Sequence, residues 1–111
     1  MKDLSYLALL DIYGEALTQK QRQMLADYYE RDYSLSEIAD NSGISRQAVH
    51  AAVRQAQDSL ADYESKFRVH AFVSELHREL AKWEGESSAA KEKADVLEAL
   101  IRRFYGSVWQ P

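Results

Sequence analysis

Residues 34–54 read SLSEIADNSGISRQAVHAAVR, a stretch with two helix starts, one stop between them and a polar face left over. Ser34 and Glu37 have the spacing of a capping box, in which a hydroxyl and a carboxylate three places apart satisfy amide donors that have no intrahelical partner. Leu35, Ile38 and Ala39 give the helix that follows one apolar side. Gly43 stands where that helix should end, and glycine enters the left-handed conformation without a Cβ penalty. Ile44 is the expected apolar plug of the turn, and Ser45 is a second N-cap. Beyond it Val49, Val53 and Ala56 recur at spacings of four and three, so a second helix begins with its inner face defined. Arg46, Gln47, His50, Ala51 and Arg54 remain outside. The pattern predicts a helix-turn-helix motif over 34–54.

Working outward, Thr18 and Gln21 repeat the capping-box spacing and predict a helix to about Arg31, with Leu17, Met24, Leu25, Tyr28 and Tyr29 on its inner side. Residues 3–17, DLSYLALLDIYGEAL, carry more apolar side chains than one helical stripe uses, so this segment should be covered on two sides. On the C-terminal side the motif's second helix does not stop at minimal length. Val49, Val53, Ala56, Leu60, Tyr63 and Phe67 form a heptad seam. Val69, Val73, Leu76, Leu80 and Trp83 form another that is one residue early, which predicts a break near Lys66 to His70. EGESSAA, residues 84–90, reads as a linker. A third seam, Ala90, Ala94, Leu97, Ile101, Phe104 and Val108, predicts a last helix ended by Gly106 and Pro111. The expected fold is all-α: a helix-turn-helix domain over 1–67 and a helical C-terminal extension over 68–111.

Composition narrows the function classes. The chain has 111 residues, no cysteine, one proline and a net charge of −4. Absence of cysteine excludes a disulfide framework, a thiolate metal site and a cysteine nucleophile. The apolar run YLALL at 6–10 is far short of a membrane span and has no cleavage-site pattern, so a cytoplasmic protein without membrane insertion is expected. His50, His70 and His77 form no ligand triad, the serines are caps without a histidine and carboxylate arrangement, and no glycine-rich phosphate loop is present. Neither catalysis, nor a metal, nor a cofactor is expected.

The outer face of the motif matches duplex recognition, in which an exposed helix N-terminus enters the major groove and Arg or Gln meets base edges. Ser45, Arg46, Gln47, His50 and Arg54 are the candidate nucleic-acid contacts. The bland alternative is a solvated face on a stable three-helix scaffold. It has weight because residues 18–57 balance five basic against five acidic side chains, while phosphate binding draws on excess positive charge. The surplus apolar seams suggest a homodimer, with the stripe at 49–67 or at 90–108 in its interface.

The segment from Leu17 to about Phe67, with its YY, DYSLSEIA, ISRQAV and DYE elements in this order, resembles the YlxM family of small bacterial helix-turn-helix proteins. More loosely, it is similar to region 4 of sigma factors. The resemblance implies an all-helical regulatory protein on a sigma-region-4-like domain, dimerisation, and a part in the signal recognition particle pathway. Carried over by position, it implies that Ser45, Arg46 and Gln47 touch DNA or the particle's RNA at the helix start. The competing expectation is a non-catalytic interaction adaptor that keeps the motif as scaffold, with signal recognition particle components as partners.

Overall fold

Capping chemistry sets where the helices of the N-terminal half begin. The computed structural model describes residues 2–83 and 90–105. Among them the regular structure is helical, with six α-helices and no strand. Helix α1 (Ser5–Tyr13) follows Asp3, whose Oδ1 accepts the Ser5 hydroxyl at 2.7 Å and the Ser5 amide at 3.0 Å. Those two bonds favour the ionised carboxylate and hold Asp3 below the usual carboxylate range. A 3₁₀ turn, Gly14–Ala16, then leads to Thr18. Thr18 Oγ1 accepts the Gln21 amide at 3.1 Å and Gln21 Oε1 accepts the Thr18 amide at 3.2 Å, which opens α2 (Gln19–Leu25).

The single helix expected to run to about Arg31 continues only to Glu30, and its last part, Ala26–Glu30, is widened into a π turn. The Arg31 amide there reaches back to the Ala26 carbonyl at 3.1 Å. Ser34 opens α3 (Leu35–Ser42) with the second capping box, and α4 (Arg46–Phe67) follows the turn.

The structure divides into two units, Met1–Phe67 and Arg68–Pro111. In the first, α4 is the spine on which α1, α2 and α3 all pack. Leu25, Ile38, Val49 and Leu60 are its largest fully buried side chains. Each contributes about 1.5–3 kcal/mol relative to exposure. Around the apolar N-terminal helix, Leu10 and Tyr13 are buried, Tyr6, Leu7, Ala8 and Leu9 are half-buried, and Leu4 is exposed. The 49–67 seam is consumed inside this unit: Val49, Val53, Ala56 and Leu60 are buried and Tyr63 is half-buried, leaving only Phe67 exposed. The expectation that this seam serves as a subunit interface is therefore corrected.

The break expected near residues 66–70 is present. Arg68 has φ 55°, a left-handed backbone that an α-helix cannot contain, and α5 (Val69–Lys82) begins after it. Within the second unit α5 packs on α6 (Ala90–Tyr105). The Phe72 ring meets Phe104 and Tyr105 edge-on, with centroids 5.5 and 5.3 Å away. Phe72, not the seam through Val73 and Leu80, is thus the aromatic anchor of α5. On α6 the buried residue is Leu100, whereas Ala90 and Ala94 of the expected seam are exposed and Leu97, Ile101 and Phe104 are half-buried. Glu75 binds Arg103 at 2.9 Å and also Arg78. These two guanidinium groups hold its carboxyl below the usual range. The linker read at 84–90 lies, apart from Ala90, outside the described residues, as do Gly106, Val108, Trp109 and Pro111.

Candidate nucleic-acid interface

The candidate face is built by a sharp turn. Gly43 has φ 70° and ψ 24°, the left-handed conformation, and its amide donates to the Ala39 carbonyl at 2.9 Å. The Ile44 amide donates to the same carbonyl at 3.3 Å, so the end of α3 is closed by two bonds and the chain is redirected. Ile44 is half-buried beneath the turn.

Ser45 then starts α4. Its hydroxyl accepts the Ala48 amide at 3.0 Å and its carbonyl accepts the Val49 amide at 3.0 Å. The amides of Arg46 and Gln47 precede the first position that an intrahelical carbonyl can reach, which leaves the positive end of the helix dipole at this point. With Val49 and Val53 directed inward, the helical period places Gln47, His50, Ala51 and Arg54 on the opposite face. Ser45, Arg46, Gln47, His50 and Arg54 are all exposed, and all lie within the first three turns. None of the ion pairs among the described residues involves Arg46 or Arg54. The helical period gave Arg46 no special standing; it belongs to the face because it is the first residue of the helix.

The same face changes sign farther along. Asp58 falls between Arg54 and Ala51 in helical angle and is exposed, and Asp62 is exposed and paired with Lys66 at 2.9 Å. Asp40 is exposed on α3. The cationic part is thus confined to the helix start. Exposed Gln55 adjoins Arg54 and belongs with the face, a position that the sequence reading omitted although its polar character marks it.

The seat of α4 is fixed from behind. Gln57 donates to the Tyr29 hydroxyl, and the Tyr29 ring stacks with Tyr6 at 6.2 Å and meets Tyr28 edge-on at 5.0 Å. Burial is the main reason the Tyr29 phenol is pushed up from its ordinary value; the Gln57 bond opposes the shift. Among the described residues no three His, Asp or Glu side chains converge as a metal-ligand set, and no helix is long and apolar enough to cross a membrane.

Comparison with known proteins gives the family of the chain. Residues 1–99 match the UPF0122 family, whose description is "Putative helix-turn-helix protein, YlxM / p13 like". A UPF0122 protein of Symbiobacterium thermophilum is 42% identical over 100 residues, covering 89% of this chain and 90% of that protein. Relatives of the same family name share 48% over 67 residues in Malacoplasma penetrans and 47% over 70 in Staphylococcus epidermidis. Those alignments cover 60% and 63% of this chain and 63% and 64% of the relatives. An all-helical chain with a capped two-helix turn, matched by the family over residues 1–99, belongs to the UPF0122 family of helix-turn-helix proteins.

Proposed function

We propose that this chain is a non-catalytic, cytoplasmic regulatory protein that binds nucleic acid, DNA or the signal recognition particle's RNA, and acts in the signal recognition particle pathway. The 1–67 domain binds through Ser45, Arg46, Gln47, His50 and Arg54, and the 68–111 extension joins two copies. One observation carries the binding reading: two exposed guanidinium groups without ion-pair partners among the described residues sit with Gln47 and His50 at the capped start of α4. That is the end of a recognition helix that meets base edges. Asp58 and Asp62 limit the contact to that end, because a phosphate beside the later turns meets like charge. The 17–67 resemblance to YlxM proteins supports the assignment to the particle's pathway. Exposed Val73, Leu80 and Val96 support the homodimer.

The test is binding of labelled duplex DNA and of the particle's RNA at two salt concentrations, with Arg46→Ala and Arg54→Ala beside the unaltered chain. Arg46→Ala weakens binding by about 1–3 kcal/mol where the guanidinium makes a bidentate base contact. The salt dependence is shallow, with a log–log slope of about −2 on duplex DNA, because only about two phosphates are neutralised. Absence of binding to either nucleic acid at low salt rejects the proposal.

The near-neutral charge of 34–58, with Glu37, Asp40 and Asp58 against Arg46 and Arg54, favours a second reading, an interaction adaptor for a protein component of the particle. In that case co-purification of the component survives both arginine changes and is lost when residues 85–111 are removed.

A further inference from the structure

Three residues, Arg31 to Tyr33, separate the π turn from the Ser34 cap, and their path is unusual. Asp32 has φ 57°, one of two left-handed non-glycine positions among the described residues. Aspartate tolerates this conformation better than most residues but does not select it. Local backbone bonds take two donors of the link. The Arg31 amide donates to the Ala26 carbonyl at 3.1 Å and the Tyr33 amide to the Asp27 carbonyl at 2.9 Å.

The acceptors are met from elsewhere. The ammonium of Lys2 donates to the Tyr28 carbonyl at 2.6 Å, the Tyr33 carbonyl at 2.8 Å and Asp32 Oδ1 at 3.0 Å. It also stands 4.0 Å from the centre of the Tyr28 ring. A lysine ammonium has three protons and accepts nothing, so three acceptors fill its capacity. The Lys2 side chain is only 19% exposed although Asp32 is 87% exposed. The Tyr28 carbonyl belongs to the final helical turn, where carbonyls have no intrahelical donor and the dipole is negative. A cation at this point both caps the helix and clasps the link beyond it.

From this geometry we infer that Lys2 is the positioning residue of the helix-turn-helix. It pins the end of the π turn and the Asp32–Tyr33 link to the segment that leads into α1, and thereby fixes where the Ser34 capping box opens α3. The turn at Gly43 and the start of α4 follow from that origin. Lys2 lies outside the 34–54 motif and touches none of the candidate contact residues, so it acts through the backbone of the link.

Amide hydrogen exchange on the free, full-length chain tests this, comparing the unaltered protein with Lys2→Met and Lys2→Arg. Methionine keeps much of the apolar stem and removes the donors. The expected result for Lys2→Met is exchange about tenfold faster at Tyr33, Ser34, Glu37 and Ile38, with Val53 to Leu60 in the centre of α4 unchanged, since local opening leaves core amides protected. Lys2→Arg restores protection only in part, because a planar guanidinium does not converge its donors on three acceptors as an ammonium does. Unchanged exchange at the four amides in Lys2→Met overturns the inference. So does acceleration spread evenly over the unit, which marks a general stabilising role, or full protection in Lys2→Arg, which marks a role for charge alone. The inference rests on the proposed function only where binding is concerned: duplex affinity of Lys2→Met should fall with the four amides' protection. A local exchange response in a chain that binds no nucleic acid rejects the proposed function and leaves the positioning role standing, whereas unaltered exchange in a chain that binds rejects the positioning role alone.

Discussion

The Tyr13 hydroxyl donates to Oε1 of Glu64 at 2.6 Å, joining the last residue of α1 to the last turn of α4 across 51 residues of chain. The Tyr13 ring lies against Tyr63 and Phe67, with centroids 6.0 and 6.4 Å away, and those two rings stack on each other. One side chain thus supplies apolar area and a charge-assisted bond. Tyr13→Phe keeps the ring contacts and removes the bond, so the expected loss is about 1–2 kcal/mol, below the upper range for bonds to ionised groups because the pair is only partly buried. Urea unfolding reads it, and a midpoint equal to that of the unaltered protein refutes the assignment.

Gly43 offers a cleaner backbone test. A Cβ built there meets nothing within 4 Å, so substitution carries no steric clash with neighbours. The φ of 70° alone opposes an L side chain. Gly43→Ala should therefore lower stability by about 1–2 kcal/mol, and Gly43→Asn by less, since asparagine visits the left-handed region more readily. Equal stability of all three chains in denaturant titration would falsify this account of the turn.

These two residues also show what the sequence makes legible. Gly43, like the caps at Thr18, Ser34 and Ser45, acts within three or four residues of itself, so spacing alone announces it. The candidate face is legible for the same reason: once Val49 and Val53 are inward, helical geometry puts His50 and Arg54 outward. Tyr13 is different. Sequence periodicity counts it as one more apolar residue, and nothing local reveals Glu64 as its partner. Lys2 is hidden for a like reason, because its acceptors are carbonyls brought near by a left-handed Asp32. The second unit misleads through redundancy: α5 offers apolar residues on more than one side, and only α6 selects Phe72 over Val73.

Tyr29 predicts a pH dependence on the alkaline side. Burial disfavours its ionised form, so its folded value lies above the ordinary 10.0. Below the ordinary value both folded and unfolded chains hold the neutral phenol, and its contribution is fully present. As pH rises the unfolded chain ionises first, and the contribution is lost as pH passes through the raised folded value. Tyr29→Phe removes this part of the decline. The measurement is the difference in urea stability between the two chains from about pH 8 to 11, since other tyrosines titrate in both. A difference that does not narrow with pH contradicts the raised value.

Val73 and Leu80 are each 50% exposed and stand seven residues apart, two turns on one face of α5. Phe72 already engages α6 through Phe104 and Tyr105, so intramolecular packing within this unit leaves these two side chains half in water. A second copy that covers them removes apolar surface at about 25 cal/mol per Å², and the same stripe on both partners suits a two-fold interface. Changing both to glutamine retains good helix formers and makes the stripe polar. The expected outcome is a dimer mass for the unaltered chain and a monomer mass for Val73→Gln/Leu80→Gln in sedimentation at micromolar concentration, with helical content equal by circular dichroism. Arg46→Ala, on the other unit, should leave the dimer mass intact. A monomeric unaltered chain removes the homodimer from the proposed function, and a double variant that stays dimeric moves the interface away from this face of α5.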